Sequence, residues 1–303
     1  MTARRGLTLV ELAIALVLGL MVGALVHRIL VHGQRLMRAQ VERIALSENV
    51  RTAALVLTGE LREVGYDEIT AQASAALGYP AALRSDLLTI APGAVTYLAG
   101  RGAGYVCRAV PGPSPELVMA ASSWESLRSP RSTDSLLLFV ENDPATAADD
   151  AWVHLGIVSA GPASCPTGAP GIAVALTFPA PLGPSTLTTV TPGSPVRLVE
   201  VMQMRYYQSG GKSWFGMRSV STGEAITPVA GPLADSSAGV RGLTLIYRDS
   251  KGNLTQDPVA VRFVEVQLVG VTDQPIYARS PVRPLVDSLT LMTRVALRNA
   301  PYP

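Results

Sequence analysis

Leu7 to Val26 reads LTLVELAIALVLGLMVGALV, and no other stretch limits the fold as strongly. As a helix its roughly 20 residues span about 30 Å, the thickness of a hydrocarbon core, so the segment predicts a membrane-crossing helix. A cleaved secretory signal also opens on basic residues and an apolar run, but that run is shorter and ends at a small-residue cleavage site. Here the run passes into His27 and Arg28 with no A-x-A-like site.

Glu11 is the one charge in this run. A carboxylate near the centre of a membrane helix costs about 2.5 to 3.5 kcal/mol on insertion scales. Five positions into the run, it can snorkel toward the headgroups or take up a proton. A sharper account requires a nearby cation, which a cut between Gly6 and Leu7 would supply as a free α-amino group. Opposite charges about 4 Å apart attract by about 4 kcal/mol at an effective dielectric near 20, comparable with the insertion cost.

Arg4, Arg5, Gly6, Leu7, Thr8, Leu9, Val10 and Glu11 form a short basic leader ending in glycine, then an apolar residue, a hydroxyl residue, two apolar residues and a glutamate. This resembles the type IV prepilin N-terminal motif. The resemblance implies that prepilin peptidase cuts between Gly6 and Leu7 and N-methylates Leu7, and that Glu11 pairs with the N-terminal amine of a neighbouring subunit during assembly. Cleavage removes two of the 25 Lys and Arg residues and leaves them equal to the 23 Asp and Glu, so the mature chain is formally neutral. Arg28, Arg35 and Arg38 outnumber the leader arginines, and a positive-inside count alone would place the far side of the helix in the cytoplasm. The resemblance implies the reverse: a single-pass inner-membrane protein with a periplasmic domain, later part of a pilus or pseudopilus. Gly19 and Gly23 form a GxxxG spacing that permits close helix approach or local unwinding.

Apolar residues recur at Val50, Ala54, Leu57, Leu61 and Val64, and earlier at Met37, Val41 and Ile44, with charges between them. This predicts an amphipathic continuation of the helix, ended by Gly65, whose apolar stripe requires a covering sheet. Beyond Tyr66, short apolar runs broken by Gly, Pro, Ser and Asp predict strands. They fall near Asp86–Ile90, Ser135–Val140, Trp152–Val158, Ile172–Phe178, Val196–Gln208, Leu243–Tyr247, Val259–Val269 and Leu289–Arg298. Ser209 to Lys212 reads as a hairpin turn into Ser213–Met217, and Asp249 to Asn253 as one joining Leu243–Tyr247 to Val259–Val269. The expected fold class is α+β: leader 1–6, helix 7–65 (7–26 transmembrane, 27–65 amphipathic), and an antiparallel β-rich pilin-like domain 66–303.

SENVRTAALVLTGELREVGY, SDLLTI, VRLVEVMQMRYYQ, GVRGLTLIYRDSKGN, VRFVEVQLVG and VALRNA together resemble PilW-type minor pilins and pseudopilin J of type II secretion. Residues 92–195 carry no family hallmark. The resemblance implies a low-abundance subunit of the initiating or tip complex. Its expected partners are prepilin peptidase, other minor and major pilins or pseudopilins, an inner-membrane assembly platform and membrane lipid.

Chemistry other than assembly has little to stand on. The formal charge is +2, with no basic tract to track a nucleic acid. A weak DNA or surface contact through exposed arginines and the aromatic residues Trp124, Trp152, Trp214, Tyr206 and Tyr207 is a minor expectation. Cys107 and Cys165 are too few for a four-cysteine zinc site and read as one disulfide or two buried thiols. His27, His32 and His154 lack metalloprotease spacing. Glu141, Asn142, Asp143, Asp149 and Asp150 cluster oxygen ligands, but without EF-hand spacing, and a solvated turn is the plainer account. No metal, cofactor or enzymatic activity is expected. The rival reading is an exported enzyme or binding protein that keeps Met1 to Gly6 as an uncleaved signal anchor.

Overall fold

The computed structural model describes residues 8–65, 85–126, 128–141, 145, 150–236, 241–277 and 285–297. The fold is α+β, one 55-residue helix α1 (Leu9–Glu63) followed by antiparallel strands. Thr8 caps α1, and no proline interrupts it. The helix passes Gly19 and Gly23 unbroken and ends where Val64 turns extended and Gly65 takes φ 86°, a left-handed conformation that glycine adopts without a Cβ penalty. The Gly65 N–H then donates to Asp86 Oδ2 at 3.0 Å.

The strands are β1 (Leu87–Ala91), β2 (Ala94–Val110), β3 (Glu116–Ala120), β4 (Glu125–Ser126), β5 (Ser135–Val140), β6 (Ala151–Ser164) and β7 (Pro170–Thr177). After them come β8 (Pro195–Ser209), β9 (Lys212–Ser219), β10 (Thr227–Leu233), β11 (Leu243–Arg248), β12 (Phe263–Val271) and β13 (Ser288–Ala296). The long strands β2 and β8 pair from Ala94↔Arg205 to Tyr105↔Pro195 and serve two cores at once.

In the first core β1, β2, β8, β9, β10 and β12 follow one another across a sheet, with β11 and β13 on the two sides of β12. Leu46, Val50, Ala53, Leu57, Leu61 and Val64 pack there against Tyr97, Met204, Phe215, Leu245, Val266 and Leu268. Each fully buried Leu or Val contributes about 1.5 to 3 kcal/mol. Gly270 of β12 permits the close approach: a Cβ there would lie 2.4 Å from Val50 Cγ2 and 2.8 Å from Leu46 Cδ1.

The second core is a closed circuit in which β2 pairs β3, β3 pairs β7, β7 pairs β6, β6 pairs β5, β5 pairs β8, and β8 returns to β2. Alternation in β5 and β6 directs Leu136, Leu138, Val153, Leu155 and Ile157 inward, where they meet Leu117, Met119, Val174 and Leu198. Cys107 on β2 and Cys165, just after β6, are joined by a disulfide with Cα atoms 5.6 Å apart. The circuit starts where α1 ends: Glu60 and Glu63 line a small cavity with Gly100, Arg101, Arg197 and Val199. It is therefore carried at the end of the domain opposite the apolar segment of α1.

Between the cores runs a polar seam. Glu200 of β8 accepts from Arg101 Nε at 2.8 Å and Ser219 Oγ at 2.5 Å, and Arg128 lies 3.3 Å away. Arg128 also forms a forked pair with Asp134, at 2.5 and 2.7 Å. Burial alone would raise the Glu200 carboxyl, but Ser219, Arg101 and Arg128 together hold it below the usual carboxylate range.

Two expectations change. Met37, Val41 and Ile44 are 69%, 64% and 58% exposed, so the sheet does not cover them. Ile44 and Leu46 lie two residues apart, about 200° around the helix, and the buried face belongs to Ala39, Leu46, Val50, Ala53, Leu57 and Leu61. The expected strand Val259–Val269 starts only at Phe263, because Pro258–Ala260 form a 3₁₀ turn. Strands β2, β3, β4 and β10 lie where the sequence pattern predicts none.

Candidate assembly surface

The surface most unlike that of an isolated soluble domain is α1 itself. Every residue from Leu9 to Leu30 is exposed, and the first buried helix residue is Ala39. The helix is long and apolar enough to cross a membrane, and its first half, about 45 Å from Leu9 to Arg38, stands clear of the sheets. Apart from the helix's own backbone, no atom of the described residues lies within 4 Å of where a Cβ on Gly19, Gly23 or Gly33 would stand, so the rod offers notches for another helix.

At the start of this rod Thr8 and Glu11 form a capping box. The Glu11 N–H donates to Thr8 Oγ1 at 3.3 Å. The Thr8 N–H and Oγ1–H donate to Glu11 Oε2 at 2.9 and 3.0 Å. Two otherwise unpaired helix-end donors are thereby satisfied within the chain itself. The sequence reading of Glu11 as snorkelling, protonated or paired with a cation does not include this cap, for which the T-x-x-E spacing is the signal. Both bonds fall on Oε2, leaving Oε1 without a partner among the described residues. Gly6 and Leu7, and with them the expected cleavage site, lie outside the described residues.

After the apolar run comes a basic band, His27, Arg28, His32, Arg35 and Arg38, all exposed. Arg35 lies 4.6 Å from the ring centroid of Tyr277, a cation–π contact to the segment between β12 and β13. Glu42 Oε2 accepts from the Gln274 N–H at 3.1 Å, and Arg43 Nε donates to Asp287 Oδ2 at 3.0 Å. These bonds fix the level at which the free rod enters the domain. Met37 and Val41 with Gln274, Pro275 and Ile276 line an open groove there.

The other candidate residues do not gather into one site. His154 is on β6, where burial lowers its pKa. Trp124 packs on the second core, while Trp152 sits on the outer face of β6 against Phe139 and Arg197. Tyr206 turns toward the helix-covering core and donates to Ser213 Oγ at 2.6 Å. Of the acidic stretch, Asn142, Asp143 and Asp149 lie outside the described residues, while Glu141 follows β5 and Asp150 precedes β6. Among the described residues no three His, Cys, Asp or Glu side chains converge as a metal site would require. Compared with known proteins, the chain matches no family model, no curated protein and no solved structure.

Proposed function

We propose that the chain is a minor pilin or pseudopilin: a structural subunit processed after Gly6, held by its N-terminal helix in the inner membrane, and drawn into a type IV pilus or type II secretion pseudopilus. The observation that carries this reading is the bare apolar rod of α1, which the chain's own sheets leave uncovered and which has Glu11 in its first turn. A simple anchor has no use for Met37, Val41 and Ile44 exposed beyond the membrane run, whereas neighbouring helices in a filament would cover them.

Assembly then follows from electrostatics and packing. In the bilayer the capping box satisfies the helix end. Cleavage would create a positive amine at Leu7, and the open Oε1 of Glu11 is suited to receive the amine of an adjoining subunit, setting axial register in a low-dielectric medium. The second core, at the far end of the domain from the rod, suits a place in the initiating or tip complex. N-terminal mass analysis of the native protein is the test. A terminus at methylated Leu7 is expected, and a chain starting at Met1 overturns the reading in favour of an uncleaved anchor.

A further inference from the structure

On the outer face of the first sheet, away from α1, Tyr207 and Trp214 are a cross-strand pair of β8 and β9. Both rings lie against the sheet over glycines. A Cβ on Gly216 would stand 2.5 Å from Tyr207 Cε1, and one on Gly231 would stand 2.7 Å from Trp214 Cε3. Any larger residue at either position would tilt its ring away from the sheet. The rings line an open groove with Arg205, Gln208, Ile226 and Pro228. Arg205 is half-buried and no described carboxylate pairs with its side chain; its Nε is enclosed, so the terminal Nη edge is what it can offer to the groove. A guanidinium left this way beside two flat rings lacks its natural counterpart, a planar carboxylate.

We propose that this face binds an acidic saccharide, a sugar ring bearing a carboxylate. The C–H face of a sugar is weakly positive and complements the negative face of an aromatic ring, and the Arg205 fork fits the carboxylate. A nucleic-acid strand fits less well, because a phosphate track needs several free cations in series. Here the neighbouring Lys212 is already paired with Asp273, so Arg205 is the one cation lining this groove without a described carboxylate partner, enough for a single carboxylate but not for a phosphate track.

The test is titration of purified full-length protein in detergent micelles with oligogalacturonate, with its methyl-esterified neutral form, and with oligothymidylate. Binding of the uronate is expected, weakened about tenfold or more by esterification or by Arg205→Gln, the loss of one charge-assisted bond. The accompanying tryptophan fluorescence change should survive Trp124→Phe and Trp152→Phe and vanish in Trp214→Phe, a variant that keeps a ring over Gly231. No binding of the uronate, equal binding of the ester, an unaffected Arg205→Gln, a fluorescence change that survives Trp214→Phe, or tighter binding of oligothymidylate would each overturn the proposal.

Discussion

The Tyr97 hydroxyl donates to Glu60 Oε2 at 2.7 Å, joining a fully buried ring on β2 to the last turns of α1. Burial first, and the Glu60 charge second, push the phenol pKa far above its ordinary value of 10.0. Below pH 10 the phenol is neutral both folded and unfolded; above it only the unfolded chain ionises, so stability falls as pH rises. Tyr97→Phe is expected to cost about 1 kcal/mol at neutral pH, because Glu60 lines a cavity and regains water. The same variant should flatten the loss of stability above pH 10. Chemical denaturation at stepped pH checks both.

The seat of α1 on Gly270 gives a second prediction. With a new Cβ 2.4 Å from Val50 Cγ2, Gly270→Ala must move the helix or the strand, at a cost of about 1 to 3 kcal/mol. Trimming Val50 to Ala alone creates a cavity, but in the Gly270→Ala background it makes room. A double-mutant cycle should therefore give a favourable coupling above about 0.5 kcal/mol.

These relationships differ in how far the amino-acid order betrays them. Val50, Leu57, Leu61 and Val64 mark the docking face because a helix repeats its face within the segment. Met37, Val41 and Ile44 share that apolar character on the opposite face, and periodicity alone does not say which stripe a sheet will cover. The hairpin at Gly210 and Gly211 was legible, since both take positive φ, 60° and 72°, in a two-residue turn. Strand β2 was missed because AVTYLAGRGAGYVCRAV is broken by glycines, and β10 because TPVAGPL holds two prolines. The closed circuit depends on β2 meeting β8 about a hundred residues later, which no local pattern records. At the candidate site the apolar rod was plain, and the Thr8–Glu11 cap was present as spacing but eclipsed by the question of charge.

Glu200 anchors the seam between the cores at 7% exposure. Glu200→Ala leaves Arg101 without its partner and Arg128 with Asp134 alone, and should cost about 3 kcal/mol, the low end for breaking a buried pair, since both arginines retain some water. With its folded pKa held below the ordinary value of 4.5, Glu200 contributes stability that is complete above that value and lost as pH falls through the folded one. Glu200→Gln should accordingly flatten the acid limb of a stability–pH curve.

The disulfide closes a sequence separation of 58 residues around the second core. In the chain-entropy model a loop of that length is worth about 4 kcal/mol, so Cys107→Ser with Cys165→Ser should lower stability by about that amount. The loss should be local. Hydrogen exchange is expected to quicken in β3, β5, β6 and β7 while Leu46 to Leu61 of α1 stay protected, because the two cores share strands but not apolar contents.

Assembly, if it uses the helix terminus, separates cleanly from folding. Glu11 touches only Thr8 among the described residues and lies about 40 Å along the helix from the first buried position, Ala39. Glu11→Ala removes a cap worth about 1 kcal/mol to an already long helix, too little to unfold the domain. It should leave the denaturation midpoint of the domain unchanged and abolish incorporation into filaments. Gly6→Ala should do the same by another route, keeping the leader on the chain and withholding the amine that Glu11 is proposed to meet. Glu11→Gln divides the roles: it can still accept from the Thr8 N–H and cap the helix, but it carries no charge to pair with an amine. Filament fractionation with mass analysis of the N-terminus distinguishes the cases. Normal incorporation of Glu11→Gln would mean that the carboxylate acts as a cap alone.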